Sequence, residues 1–336
     1  MSTTAPTFES TRAGAAPGTS PTGDAGAGVL PVLAVDLVTA PPLLDGLAPL
    51  ARGLEDAGIG ALTLSDGGLH PIHVAAHLAP LTRGLGLLPR TDAVYVEPFH
   101  LATQLMSLDH ISHGRAGWLL QAETDPSAAA AVGRDLLGLE ATAREAADVL
   151  VAARRVWDSW APDAVVRDTE RGVYVDASRL QYADVEAETF SVRGPAITPR
   201  SPQGLLPVLV ADTDRGAVGE RASTELVDGR VLDLDVSGGA RAEQLAARIA
   251  SARDEGATGS ASTVVRLVRL VGLDLEADPL GTARELAAEL RARDLVSGTS
   301  APGRTLRELL GLPEAPFDLD PARRADRARL TREESA

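Results

Sequence analysis

The sequence predicts an α/β protein of the TIM-barrel type, a (β/α)8 fold, on two observations. Short apolar runs alternate along the chain with amphipathic helical segments, which is the pattern of repeated βα units around a parallel sheet. The 336 residues, 44% of them hydrophobic, are also enough to bury one large core. A doubly wound open sheet is the alternative arrangement of the same units.

Seven segments are predicted to be strands of the barrel, because each is a short apolar run bounded by glycine, proline or polar residues. They are 29–38, 59–65, 84–88, 115–120, 206–211, 230–236 and 263–273. The helical patterns between them are 44–57, 73–81, 101–111, 128–160, 240–255 and 281–293. An eighth strand is not recognisable, so the sequence leaves open an incomplete barrel.

Residues 161–205 interrupt the alternation before the fifth barrel strand. The stretch DAVVRDTERGVYVD predicts a β-hairpin, and FSVRGPAITPRSPQG predicts a proline-rich approach to the next strand. We therefore predict one barrel domain over 29–312 with an insertion at 161–205. Residues 1–28 contain few large apolar side chains and predict a disordered N-terminal tail, and 313–336 predict a charged C-terminal tail.

Composition narrows the classes of function. A net charge of −15 and a pI near 4.9 argue against binding to nucleic acid or to an anionic membrane, because both need a basic surface. No apolar run approaches the length of a membrane span, and residues 1–28 do not have the pattern of a signal peptide. The absence of cysteine excludes disulfides and thiolate sites and agrees with a cytoplasmic location.

Four motifs follow one another along the chain: EPFHLATQLMSLDHISHGRAGW, VWDSWAPDAVVRDTERGVYVD, FSVRGPAITPRSPQG and RTLRELLGLP. Together they resemble the nitrilotriacetate monooxygenase branch of the bacterial luciferase-like flavin monooxygenases. The resemblance implies a TIM barrel that oxidises a small organic substrate with O₂ and reduced FMN, the FMN being supplied by a separate flavin reductase. It also leads us to expect a homo-oligomer or pairing with a paralogue.

The resemblance implies cofactor-binding residues where the barrel strands end, and it identifies no catalytic residue and no metal ligand. The implied residues are Asp66, Thr91, Tyr95, Thr213 and Asp214. Asp66 matches an acidic residue near the flavin, and an N-cap for the next helix is the alternative role. Thr91 and Tyr95 either contact the flavin or close a loop.

Several positions depart from the family pattern. Leu119, Leu139 and Ala143 stand where the family has asparagine, histidine and tyrosine. The segment 211–214, Ala-Asp-Thr-Asp, stands where small residues receive the phosphate, which carboxylates would repel. The eighth strand and its preceding helix also have no counterpart. These departures support an alternative function, a non-catalytic, flavin-free homologue that serves as a binding or partner subunit.

Two histidine-containing stretches remain. LDHISHGR lies between a helix and a strand, hence at the N-terminal face of a barrel, where special residues usually serve stability. We expect Asp109 to accept turn amides, Gly114 to adopt a positive φ and Arg115 to bridge to a neighbouring acid.

In HPIHVAAH, His73 and His77 share one helical face at zinc-ligand spacing, but the pattern lacks the glutamate of H-E-x-x-H, so solvated histidines are the simpler interpretation.

Overall fold

Seven parallel strands form a closed barrel in the computed structural model, which describes residues 29–239, 241–256, 260–297, 301–320 and 323. The strands of the described residues are, in chain order, β1 (Val32–Thr39), β2 (Ala61–Asp66), β3 (Gly86–Asp92), β4 (Trp118–Gln121), β5 (Val165–Asp168), β6 (Val173–Val175), β7 (Val185–Glu186), β8 (Ser191–Val192), β9 (Val208–Ala211), β10 (Gly229–Asp235) and β11 (Val265–Val271). The barrel order is β1, β2, β3, β4, β9, β10, β11.

The barrel closes without an eighth strand because β11 pairs directly with β1. Their parallel register places Val32 opposite Leu267 and Val35 opposite Leu270. The predicted TIM-type α/β barrel is therefore confirmed with seven strands, and the doubly wound alternative is wrong. The doubt about closure is resolved by one direct strand pairing across the expected gap.

Helices follow most of the barrel strands. They are α1 (Leu44–Asp56), α2 (Pro71–Leu78), α3 (Pro98–Ile111), α4 (Pro126–Ala131), α5 (Leu139–Trp157), α6 (Arg215–Val218), α7 (Ala242–Gly256), α8 (Pro279–Ala292) and α9 (Leu306–Leu309). The single helix expected over 128–160 is wrong. Gly133 adopts a φ of +70° after α4 and Gly138 is extended before α5, so the chain leaves the helical conformation between them.

The inside of the barrel is apolar at its lower end. Side chains that alternate along the strands meet there with the last helix, and the set comprises Val32, Ala34, Ala61, Leu88, Leu119, Leu209, Ala211, Val231, Leu267, Leu306, Leu309 and Leu310. Leu306 approaches Gly86 and Gly117, at the starts of β3 and β4, so α9 closes the N-terminal end of the barrel. Leu119, one of the departures from the family pattern, is thus a core residue.

The insertion at 161–205 forms two small antiparallel sheets, β5 with β6 and β7 with β8, so the expected hairpin is present and a second one follows it. Part of the C-terminal segment packs on this insertion. The Asp320 amide donates to Gln181 Oε1 at 2.8 Å, and Arg323 Nε donates to the Tyr182 carbonyl at 2.8 Å. The disordered tail predicted over 1–28 and most of the charged tail lie outside the described residues.

Two tryptophans attach the C-terminal end of α5 and the residues after it to their surroundings. Trp157 Nε1 donates to the Ala102 carbonyl at 3.0 Å, and its ring meets the ring of Trp118 edge-on at 6.5 Å. Trp160 Nε1 donates to the Ala196 carbonyl at 2.8 Å. Within the described part of the chain, none of the helices combines the length and apolarity that crossing a membrane requires.

Candidate functional site

A cleft of about 400 Å³ opens at the C-terminal ends of β2 and β3, next to the first turns of α2 and α3. This is the face of a TIM barrel on which active sites lie. The polar residues of its lining are Asp66, His70, Arg90, Thr91, Asp92, Glu97, His100, Gln104, Gln121 and Glu123. The cleft is therefore large enough for a small organic molecule or for a ring system of similar size.

Backbone amides hold the carboxylates of the cleft in place. Asp66, the last residue of β2, accepts the amide of Gly68 at 2.7 Å through Oδ1. Asp92, the last residue of β3, accepts the amides of Val94, Tyr95 and Glu123 at 2.8–3.0 Å, and burial raises the pKa of its carboxyl group. These contacts fix the loop between β3 and α3 against the end of β4.

Thr91 has a buried hydroxyl that no group of the described protein satisfies. The residue is only 7% exposed, yet its Oγ1 has no hydrogen-bond partner. Its carbonyl, by contrast, accepts Trp118 Nε1 at 3.3 Å. Because a buried hydroxyl without a partner costs about 1–3 kcal/mol, this atom in the cleft wall is a candidate contact for a ligand.

Two histidines stand at the entrance. His70 precedes α2, and its ring lies 4.9 Å from the ring of His73. Burial, then the neighbouring His73, lowers the pKa of His70, so its ring is uncharged near neutral pH. His73 and His77 are solvent-exposed. Among the described residues no set of three histidine, aspartate or glutamate side chains is arranged to hold a metal ion, so the zinc interpretation gains no support.

An ion-pair layer fills the barrel interior above its apolar end. Arg269 contacts Asp233 at 2.7 Å and Asp36 at 3.5 Å. Thr63 Oγ1 donates to Asp36 at 2.6 Å, and Thr213 Oγ1 donates to Asp233 at 2.8 Å. Thr213, one of the predicted cofactor residues, is therefore already engaged within the protein.

The two carboxylates that follow β9 are each paired with an arginine. Arg90 binds Asp214 through two hydrogen bonds of 2.9 and 2.6 Å. Burial lowers the pKa of the Arg90 guanidinium, but the hydrogen bonds and the charge of Asp214 outweigh burial, so the pKa is raised. Asp212 binds Arg230 in the same two-pronged way, at 2.5 and 2.9 Å. The two arginines therefore compensate both carboxylates, which weakens the repulsion of a phosphate that the sequence led us to expect.

The predicted cofactor residues do not all meet. Asp66 and Thr91 lie in the cleft lining, and Asp214 is joined to it through Arg90. Tyr95 is buried outside the lining, where its hydroxyl accepts the Leu137 amide at 3.0 Å. Arg134 stacks on the Tyr95 ring at 5.4 Å from its centroid, so Tyr95 closes a loop in this structure.

Sequence reasoning missed most of the polar lining of the cleft, namely Arg90, Asp92, Glu97, His100, Gln104, Gln121 and Glu123. Two of these residues had a signal in the sequence. Arg90 alternates with Leu88 along a strand whose C-terminal end faces the active side, and EPFH, which contains His100, marks a helix start at that same face. Of the departures on α5, Leu139 is exposed, and Ala143 packs so closely on Gly219 that a larger side chain would displace the segment after α6.

The LDHISHGR cluster lies at the opposite end of the barrel. Asp109 is fully buried and accepts Gln203 Nε2 at 2.6 Å and the Ala116 amide at 3.3 Å. Arg115 donates to backbone carbonyls, so the acid partner expected for it is wrong. Gly114 has a φ of +84°, as its position in the turn requires. The cluster joins turns and is remote from the cleft.

The chain belongs to the luciferase-like monooxygenase family, whose model matches residues 26–310. Relatives include N-acetyl-S-(2-succino)cysteine monooxygenase of Bacillus subtilis (strain 168), 36% identical over 141 residues, which are 42% of this chain and 32% of that protein. Nitrilotriacetate monooxygenase component A of Aminobacter aminovorans is 32% identical over 181 residues, 51% of this chain and 40% of that protein. The resemblance to this family that the motifs indicated is confirmed.

Solved structures support the fold. EDTA monooxygenase from Chelativorans sp. BNC1 superposes with a TM-score of 0.66 at 15% identity, covering 86% of this chain and all of the compared chain (100%). At such low identity the likeness concerns the fold alone. The chain spans about one third of the length of the first two curated relatives, so the activity of a whole relative does not transfer directly.

Proposed function

We propose that the protein is an FMN-dependent monooxygenase that oxidises a small organic molecule with reduced flavin and O₂. The observation that carries the proposal is the unsatisfied Thr91 hydroxyl in a cleft at the active face of a barrel of this family. A separate flavin reductase would supply the reduced cofactor, in agreement with relatives named as a component and as a subunit. A cytoplasmic location and assembly with a second copy or a paralogue remain part of the proposal.

The residues present fit one edge of a flavin ring. Thr91 Oγ1 offers a hydroxyl without a protein partner, and Asp66 uses only Oδ1 for its turn, which leaves Oδ2 for a ring N–H. When bound, flavin supplies the oxygen chemistry, while the protein binds and orients it and excludes water. Asp214 would act indirectly, because it fixes the guanidinium of Arg90 at the cleft wall.

Specific observations favour the alternative of a flavin-free homologue that serves as a binding or partner subunit. Thr213 and Asp214 have protein partners, and Tyr95 is used to close a loop. The positions at which the family has a histidine and a tyrosine carry an exposed Leu139 and a tightly packed Ala143. The two functions differ in whether the protein binds flavin at all.

A fluorescence-quenching titration with FMN and with riboflavin separates these functions. If the cleft holds flavin, the protein should quench the fluorescence of both flavins saturably. Thr91→Val should then weaken flavin binding about fivefold, because one hydrogen bond is lost. Thr103→Val is the matched control, because that hydroxyl donates to Phe99 within its own helix and does not line the cleft. Absence of saturable quenching by both flavins, in a folded protein, would favour the flavin-free homologue.

A further inference from the structure

The charged side chains of the cleft lining are mostly acidic. Asp66, Glu97 and Glu123 contribute carboxylates, in addition to the more buried Asp92. The arginine of the lining, Arg90, has its charge balanced by two hydrogen bonds to Asp214. The cleft therefore has an excess of negative charge that no cation of its lining compensates.

This arrangement is built into the fold. Glu97 caps the N-terminus of α3, its two oxygens accepting the amides of Phe99 and His100 at 3.1 and 2.5 Å. Glu123 accepts the amides of Thr124 and Asp125 at 2.9 and 3.0 Å. These amide contacts hold the two carboxylates in place at the cleft, so the fold fixes the positions of the two charges.

The groups that are free to contact a ligand are mainly acceptors. Thr91 Oγ1 is buried without a partner, Asp66 has an oxygen beyond its turn contact, and His70 is uncharged near neutral pH and so offers a ring nitrogen lone pair. A protonated amine carries up to three N–H donors and a positive charge. The acceptors of the cleft match the donors, and the carboxylates of its lining match the charge. A carboxylate ligand would meet like charges and an arginine already bound to Asp214.

We propose that the cleft selects a small organic molecule that carries a protonated amine and disfavours anionic molecules. The inference rests on the second candidate function, the flavin-free binding subunit, because Thr91 Oγ1 and the free Asp66 oxygen cannot contact a flavin and an amine at the same time. Nitrilotriacetate and EDTA, which the names of one relative and one structural neighbour mention, are amines that carry several carboxylates, so the proposed preference differs from them in the net charge of the ligand.

Benzylamine and benzoate are matched probes, because they share a ring and carry opposite charges. Calorimetric titration of the flavin-free protein at low salt should show benzylamine binding at least ~10-fold more tightly than benzoate, and added salt should narrow the difference. Asp66→Asn, which keeps the oxygen that accepts from Gly68, should weaken benzylamine binding ~3- to 10-fold. Glu123→Gln should also weaken benzylamine binding.

Asp254→Asn is the control for overall charge, because it removes the same charge from an exposed position on α7 outside the cleft. If it changes the benzylamine-to-benzoate ratio as much as Asp66→Asn does, the preference belongs to the acidic protein as a whole and the proposal is wrong. Equal binding of the two probes, or tighter benzoate binding, also overturns it.

The flavin titration is independent of this measurement. Flavin binding together with a preference for benzoate would overturn only the amine inference. A preference for benzylamine without flavin binding would support an amine-binding cleft in a protein that is not a monooxygenase, so the two proposals fail separately.

Discussion

Arg115→Ala tests whether the LDHISHGR cluster serves stability. The guanidinium is 5% exposed and donates to the carbonyls of Ser112 at 2.8 Å, Leu85 at 2.8 Å and Ala79 at 2.5 Å, and to Thr82 Oγ1 at 2.9 Å. These contacts join the end of α2 to the turn before β4. Alanine would leave the three carbonyls without a donor.

The magnitude follows from the number of acceptors that lose their donor. A buried acceptor without a partner costs about 1–3 kcal/mol, and water entering the vacated space recovers part of it. We therefore expect a loss of about 3–5 kcal/mol in the free energy of unfolding. For a domain of this size, that loss corresponds to a decrease of about 5–8 °C in Tm.

Differential scanning calorimetry of the full chain, together with flavin titration, measures both consequences. Arg83→Ala is the control, because Arg83 is an arginine of the α2–β3 connection whose side chain is 66% exposed in its pairs with Glu55 and Asp56. It should cost less than about 1 kcal/mol. An unchanged Tm for Arg115→Ala, combined with lost ligand binding, would refute the structural role and return the cluster to the functional site.

Three further predictions follow. Burial raises the pKa of the Asp109 carboxyl group, so the stability that its protonated form contributes is complete below about pH 4 and is lost as the pH rises through the raised pKa. Asp109→Asn should remove this pH dependence of the free energy of unfolding in urea, and an unchanged dependence would contradict the prediction. A chain that begins at Val29 should keep the wild-type Tm, whereas a fall of many degrees would show that 1–28 pack on the barrel. Tyr95→Phe removes the acceptor of the Leu137 amide and should speed hydrogen exchange there, not in α7.

The sequence by itself determined the seven barrel strands, most of the helices and the family. Hydrophobic periodicity is local, so a run such as VLAVDLVT indicates a buried parallel strand wherever it lies in the fold. The break of the predicted 128–160 helix was also present locally, in Gly133 and Gly138. Asp66 and Thr91 could be placed at the active face because the ends of parallel strands meet at one end of a barrel.

Only the tertiary structure decided which charges meet. Arg90 and Asp214 are 124 positions apart, and Gln203 reaches Asp109 across 94 positions, separations at which spacing carries no information about contact. For that reason the arginine partners of the carboxylates after β9 could not be identified from the sequence. Closure of the barrel has the same origin, since the pairing of β1 with β11 joins the two ends of the domain and depends on the twist of all the strands between them.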